Sequence, residues 1–520
     1  LNNKPEFKEN PNPYWIASTP QTDFPELTEN MEVEVAIIGG GIVGITSAYL
    51  LKNRGVKVAV IEADRILQGT TGHSTAKITS QHGLIYARLK NQLGEELARQ
   101  YAESNQKAID LIAATVKEHD IDCDFAWRSA YVYTQSEKYA EDIRNEVEAA
   151  SSLGIKASYL EKIPLPLPIK AAERFDNQAQ FHPLKYLKAL ARKIPGQGSH
   201  IFEHTEAVNI DDNGSPLVLT RGGNKVKAEK IIIASHYPFF DGGGLYFPRV
   251  YQEKSYIVAV KIKDEFPEGM YINAEEPARS LRSQSYEDGE MVLLAGEHHK
   301  TGYGNDTNVH YQNLIDFGRN IFAVQDILYR WSTQDCMTVD GVPYIGNLTP
   351  RSPNLYLATG FAKWGISGGT AAAIILKDLI VQNHSPWAEV YNPFRLSLSS
   401  LKTLAWQNVD VAKSFAAGKL EGWRLPQDIG IKTGEAQVMG KEGERIGAYR
   451  DEQNKLHTID TTCTHLGCEL QWNDGEKSWD CPCHGSRFTY EGDIIEGPAI
   501  NSLHHMEQQE PNEVEARVFK

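Results

Sequence analysis

Cysteine is scarce, with 6 in 520 residues. That excludes a scaffold framed by disulfides. No run of about 18 apolar residues occurs, so no membrane-spanning helix is expected. The most apolar helical stretch, 366–381, is interrupted by Lys377 and Asp378. A basic surplus is also lacking: 53 Lys and Arg stand against 68 Asp and Glu, a net charge of −15. Bulk attraction to nucleic acid or to an anionic membrane surface is therefore not expected. The opening residues, LNNKPEFKENPNPYW, are polar and broken by proline, without the apolar core of an export signal. A cytoplasmic location is the expectation. There is no internal repeat and no low-complexity tract. What is present is 41% hydrophobic and 23% charged residues, enough to bury a real core. At roughly 150 residues per domain the length suggests about three domains, or two if one is large.

The chain opens with an irregular arm over 1–32. A buried strand is predicted over 33–38, then a glycine turn, an apolar helix over 41–52 and a second strand over 56–62. This is a βαβ opening. Residues 84–119 carry one helical pattern. Pro164, Pro166 and Pro168 break the chain, and a helix starts after Pro183. KIIIAS (230–235) and LYLAT (355–359) read as buried strands, and 249–300 alternates as an antiparallel sheet does. Residues 396–426 read as a linker. From about 427 to 520 the chain changes to short strands and turns, the pattern of a small all-β domain.

VAIIGGGIVG places G-x-G-x-x-G at Gly39, Gly41 and Gly44, after a predicted strand and at the start of a helix. In that setting the glycines allow a tight turn, close approach of a pyrophosphate and tight helix–strand packing. The helix N-terminus adds free N–H groups for phosphate. Glu62 ends the second strand, where an acid meets a ribose 2′-hydroxyl. Its charge would repel a 2′-phosphate, which disfavours NADP. A second glycine-rich turn (Gly360, Gly365, Gly368, Gly369) precedes the helix from about 366. Such a helix can aim its positive end at the edge of a reduced flavin, where negative charge develops.

VAIIGGGIVG, VIEADR, GTTGHSTAKIT, DGVPYIG and ATGFAKWGISGGT occur in this order. Through them the first 395 residues resemble the D-amino-acid oxidase-like flavoproteins, the glycine oxidase and sarcosine oxidase superfamily. The resemblance implies an α/β (α+β) FAD domain of the two-dinucleotide type over 33–395. Within it, 240–330 would form mainly an antiparallel substrate sheet over the flavin. It implies that 69–77 runs along the pyrophosphate and flavin, with Thr70, Thr71, Ser74 and Thr75 as hydrogen-bonding residues. His73 falls where some members tether the flavin covalently; simple packing or hydrogen bonding is the preferred reading here. Near the flavin the candidates are Lys363 and Trp364, with Arg282 as a possible bidentate grip on a carboxylate. Tyr251, Tyr256, His299 and Trp331 are weaker candidates, better read as core or surface groups.

Four of the six cysteines fall within 21 residues: Cys463, Cys468, Cys481 and Cys483. CTHLGC and CPCHGS contribute a C-x-H pair, Cys463 and His465, and a C-x-x-H pair, Cys481 and His484. Two thiolates and two imidazoles can hold zinc or a Rieske [2Fe–2S] cluster. Zinc leaves Cys468 and Cys483 unexplained. Both loops resemble those of Rieske proteins of the cytochrome bc type, and GPA (497–499) resembles their shielding proline loop. That resemblance, over about 427–505, implies a Cys468–Cys483 disulfide and the ligands Cys463, His465, Cys481 and His484. It also implies that Ser486 bonds a bridging sulfide. Phe488 stands where high-potential members have a tyrosine. Asp480, Glu491, Asp493 and Glu496 would lower the potential further.

FAD and a [2Fe–2S] centre on one chain imply electron transfer between them. The expected function is dehydrogenation of an amine or amino acid by hydride transfer to FAD. The electrons would leave one at a time through the cluster to a carrier protein or quinone. Reversed flow and a non-enzymatic redox sensor are the alternatives.

Overall fold

The computed structural model describes residues 11–304, 306–395, 430–441 and 444–506. The predicted linker, 396–426, lies outside the described residues. The chain divides into two compact units. One takes the described residues of 1–299 and 309–404; the other takes 300–308 together with the described residues of 405–520.

The first unit holds two large sheets. In the first sheet, Met31–Ile38 lies between Lys225–Ile233 and Val58–Ile61, all parallel. Leu355–Thr359 extends it in parallel beyond Lys225–Ile233, and His200–Phe202 beyond Val58–Ile61. Tyr344–Asn347 closes one edge antiparallel, and the hairpin Ala207–Asp211/Leu217–Thr220 pairs with Lys225–Ile233. Val35 to Ile38 are all buried, as expected of a central parallel strand covered on both faces.

The second sheet has nine strands and is mostly antiparallel, running from Val324–Thr338 and Val250–Ile262 across to Ala171–Gln180 and Lys77–Ile78. Its long edge strand Val324–Thr338 is not apparent from the sequence pattern. The expected strand over 230–235 also starts earlier, at Lys225.

Three expectations change. The single helix over 84–119 is two helices, Tyr86–Leu93 and Glu95–Glu118. Gly94 separates them at φ +86°, a conformation that glycine adopts readily and other residues rarely do. The arm is not wholly irregular: Tyr14–Ala17 forms one helical turn, and Trp15 is fully buried. Its indole N–H donates to the Ser74 carbonyl at 2.7 Å, so the arm supports the 70–75 segment. Finally, Gly365–Gln382 is long and apolar enough to cross a membrane despite Lys377 and Asp378. It is 67% buried in this unit, and a Cβ at Gly369 would lie 3.0 Å from Ile42 Cγ2 on the helix Ile42–Lys52. It is a core helix here.

The second unit holds two small antiparallel sheets. Ala436–Lys441, Glu444–Arg450 and Leu456–Asp460 form one. Gln471–Asn473, Ser478–Asp480, Arg487–Thr489 and Ile494–Glu496 form the other. Trp479 and Phe488, opposite each other in register, fill its core.

Candidate functional sites

In the first unit the strand Met31–Ile38 delivers the glycine turn to the start of the helix Ile42–Lys52. A Cβ at Gly44 would lie 1.9 Å from the Gly39 carbonyl oxygen, so only glycine lets helix and turn meet. No side chain caps the helix at Gly41. Of the first amides, Ile42 N–H donates to Thr71 Oγ1 at 3.1 Å. Glu62 Oε2 accepts from Gly40 N–H at 2.7 Å, and burial pushes its carboxyl pKa up. Tight turn, a helix start whose N-cap residue is a glycine without a capping side chain, and an acid at the second strand's end fit a dinucleotide.

The 69–77 segment crosses from this turn to the second sheet. Thr70 Oγ1 donates to Gln334 O at 3.2 Å, and Trp331 Nε1 donates to His73 O at 2.8 Å. Ser74 Oγ accepts from Ala76 N–H. The His73 ring bonds the Gly69 carbonyl of its own turn at 2.9 Å. Arg282 is fully buried and is spent on protein: it donates to the carbonyls of Thr75, Ser283 and Phe181 and to Gln284. It anchors the segment and has no fork left to grip a carboxylate.

The second glycine turn lies against the same strand, with Ala362 N–H donating to Cys336 O at 2.9 Å. Gly360 starts it, Gly365 opens the helix Gly365–Gln382, and Gly368 sits beside Phe361. Lys363 pairs with Glu253 at 2.8 Å and Asp335 at 3.7 Å, and Asp335 also accepts from Ser255. Trp364 stacks on His82 at 4.9 Å. Of the other candidates, Tyr256 and His299 are neighbours. Tyr251 is pushed up to about 12 by burial, and Tyr256 bonds His299 at 2.9 Å in a stack that includes His310.

Sequence reasoning missed several groups. Lys77 is pushed down to about 7, first by burial and then by Arg282; its Nζ bonds Ser280 Oγ at 2.8 Å. His82 is held neutral by burial, down to about 3. Glu253 and Asp335 become neighbours only through strand register. Lys77 had one readable signal, a lysine inside an otherwise apolar and hydroxylic segment.

In the second unit the two cysteine loops converge. Cys468 and Cys483 are joined in a disulfide. The Sγ atoms of Cys468, Cys481 and Cys483 lie within 4.8 Å of one another, but the disulfide leaves only Cys481 of these three able to ligate. Cys463 and Cys481 are buried and hydrogen-bonded to each other, which lowers the pKa of Cys463 and raises that of Cys481. The His465 and His484 rings lie 5.0 Å apart, nearly perpendicular. Burial lowers the pKa of both; His484 falls to about 4, with His465 and Lys300 adding to the effect. Neutral imidazoles are what a metal needs. His465 Nδ1 is buried without a hydrogen-bond partner, an orphan that a metal would satisfy. This donor set fits a His- and Cys-ligated cluster.

Ser486 is fully buried; its Oγ accepts from Ala499 N–H at 3.0 Å, and its hydroxyl hydrogen-bonds Cys463. Phe488 is fully buried. The acidic surroundings are less bare than the sequence suggests. Asp480 lies opposite Arg487 in register and pairs with it at 3.1 Å; Glu476 and Glu496 share the same guanidinium.

Comparison with known proteins matches residues 34–379 to the family model described as FAD dependent oxidoreductase, and 426–507 to that of the Rieske [2Fe-2S] domain. A Bacillus subtilis (strain 168) protein named as a Rieske 2Fe-2S iron-sulfur protein, YhfW, is 45% identical over 497 residues, covering 95% of this chain and 97% of that one. Gamma-glutamylputrescine oxidoreductase of Escherichia coli (strain K12) is 22% identical over 71% of this chain and 88% of its own. Glycine oxidase from Geobacillus kaustophilus shares the fold of the first part. Its TM-score is 0.61 at 19% identity, over 70% of this chain and 99% of that one.

Proposed function

The chain belongs to the FAD-dependent oxidoreductase family and carries a Rieske [2Fe–2S] domain, and on that footing we propose that it dehydrogenates an amine or amino acid and exports the electrons singly to an acceptor. When bound, FAD supplies a two-electron hydride acceptor and the cluster a one-electron carrier. A substrate C–H and N–H become a C=N bond, with one hydride and one proton released. The observation that carries the reading is the coexistence on one chain of the glycine cradle and the Cys463, His465, Cys481 and His484 donor set.

The protein's own groups do the holding. Gly39, Gly41 and Gly44 leave room for pyrophosphate, and Glu62 offers a carboxylate to a ribose hydroxyl. Arg282 ties the Thr75 backbone to the substrate sheet. Glu253, Asp335 and Lys363 place two carboxylates and one ammonium beside the second glycine turn. With Arg282 engaged and Lys363 paired, this arrangement favours an amine over a substrate held by its α-carboxylate.

The test is anaerobic mixing with a panel of amines and amino acids, following flavin bleaching and the spin signal of the reduced cluster together. The reading expects both to appear with the same substrate. Flavin bleaching without any cluster signal would remove the exit route. Reduction without steady-state product in the presence of an artificial acceptor would favour a sensor.

A further inference from the structure

The second unit contains a segment far in sequence from either cysteine loop, Lys300–Asn308. Thr307 in it is 3% exposed. Its hydroxyl donates to Asn473 Oδ1 at 2.5 Å and accepts from Gly475 N–H at 2.9 Å. Asn473, itself buried, donates through Nδ2 to Asp480 Oδ2 at 2.8 Å. Asp480 also accepts from Ser478 and Arg487 and directly precedes Cys481. The turn between Gln471–Asn473 and Ser478–Asp480 closes around this hydroxyl. A Cβ at Gly475 would lie 2.4 Å from Thr307 Oγ1. Asn308 Nδ2 adds a longer contact to Asp474 at 3.4 Å. The same segment backs the second cysteine loop directly, since a Cβ at Gly302 would lie 2.6 Å from the Pro482 nitrogen.

We propose that the described residues of 300–308 are a working part of the iron–sulfur site, in which Thr307 is a positioning residue that holds the Cys481 loop through Asn473 and Asp480. This rests on the reading of Cys481 and His484 as cluster ligands. Groups behind the ligands fix their orientation and so govern cluster retention and spectroscopic signature. A buried amide oxygen stripped of its donor loses most of its satisfaction at once, so this chain is sensitive to a single hydroxyl.

The experiment uses the full chain with Thr307→Val, which keeps the shape and removes the hydroxyl, and Thr307→Ser, which keeps the hydroxyl. Three quantities are read: FAD content, the g-values of the reduced cluster, and the rate of cluster loss under a chelator. Thr307→Val is expected to keep full FAD, change the g-anisotropy and lose its cluster roughly tenfold faster, the scale of one buried acceptor left unpaired. Thr307→Ser is expected to restore both cluster readouts. Unchanged g-values and retention in Thr307→Val overturn the proposal. So does parallel loss of FAD and cluster, which would mark a general folding role. A parent chain with no His-ligated signal would instead overturn the ligand reading beneath it.

Discussion

Phe488 and Ser486 bear on how the cluster is tuned. A hydrogen bond to sulfur favours the reduced, more negative cluster and so raises its potential. Ser486 is placed to give one such bond, while Phe488 has no hydroxyl to give a second. A neutral bond worth about 1 kcal/mol corresponds to roughly 40 mV for one electron. Phe488→Tyr should therefore raise the midpoint potential by about that amount and Ser486→Ala lower it, as read by redox titration of the spin signal. No change in a Phe488→Tyr protein whose new hydroxyl does reach sulfur would refute the reasoning. The pairing of Asp480 with Arg487 weakens the further lowering expected from acidic neighbours. Glu173 is a different case, a fully buried carboxyl whose pKa is raised well above the usual range, by burial first and then by Glu146. Between the unfolded and the folded pKa, the folded form holds a proton that the unfolded chain has lost. The stability it contributes is complete below the unfolded pKa and is lost as pH rises toward the folded one. Glu173→Gln should thus raise Tm at pH 7–8, with a gain that shrinks toward pH 4. An equal effect at both ends of that range would exclude the linkage.

The helix Ile42–Lys52 and the glycine turn act together. A methyl at Gly44 would collide with the backbone of Gly39, not with a movable side chain. Gly44→Ala should cost stability by about 1–3 kcal/mol through overpacking and empty the flavin site. Flavin absorbance per chain is the measurement; full occupancy would show that the turn can yield. The two cysteine loops are likewise one device. Their disulfide joins residues 15 apart in sequence. By loop entropy such a closure contributes about 3 kcal/mol. Cys468→Ser should lower the unfolding midpoint of the second unit and hasten cluster loss. Peptide mapping without reduction should find Cys468 linked to Cys483, with Cys123 and Cys336 free.

Across the whole chain, two compact units carry two kinds of electron chemistry. Units with their own cores respond separately to loss of a cofactor. Cys463→Ser should therefore remove the cluster signal yet leave FAD stoichiometry intact, and substrate should still bleach the flavin. Delivery to a one-electron acceptor should fail. Continued delivery at the parental rate would mean that electrons leave from the flavin directly.

The sequence by itself narrowed both cofactors through short local patterns, glycines at the end of a strand and cysteines and histidines at ligand spacing; the resemblance of the further motifs to known families chose FAD over NAD and a Rieske cluster over zinc. The sequence also determined the parallel core strands, whose apolar runs need no partner to be recognised. Only the tertiary structure decided what depends on register and long-range approach. The strand Val324–Thr338 sets Asp335 opposite Glu253, and Arg282 is consumed by carbonyls from three separate segments. Asp480 is neutralised across a strand pair, and Thr307 reaches a hairpin 166 positions away. A side chain's charge and valence are local properties. Which groups satisfy them is settled by the packing that brings distant segments together.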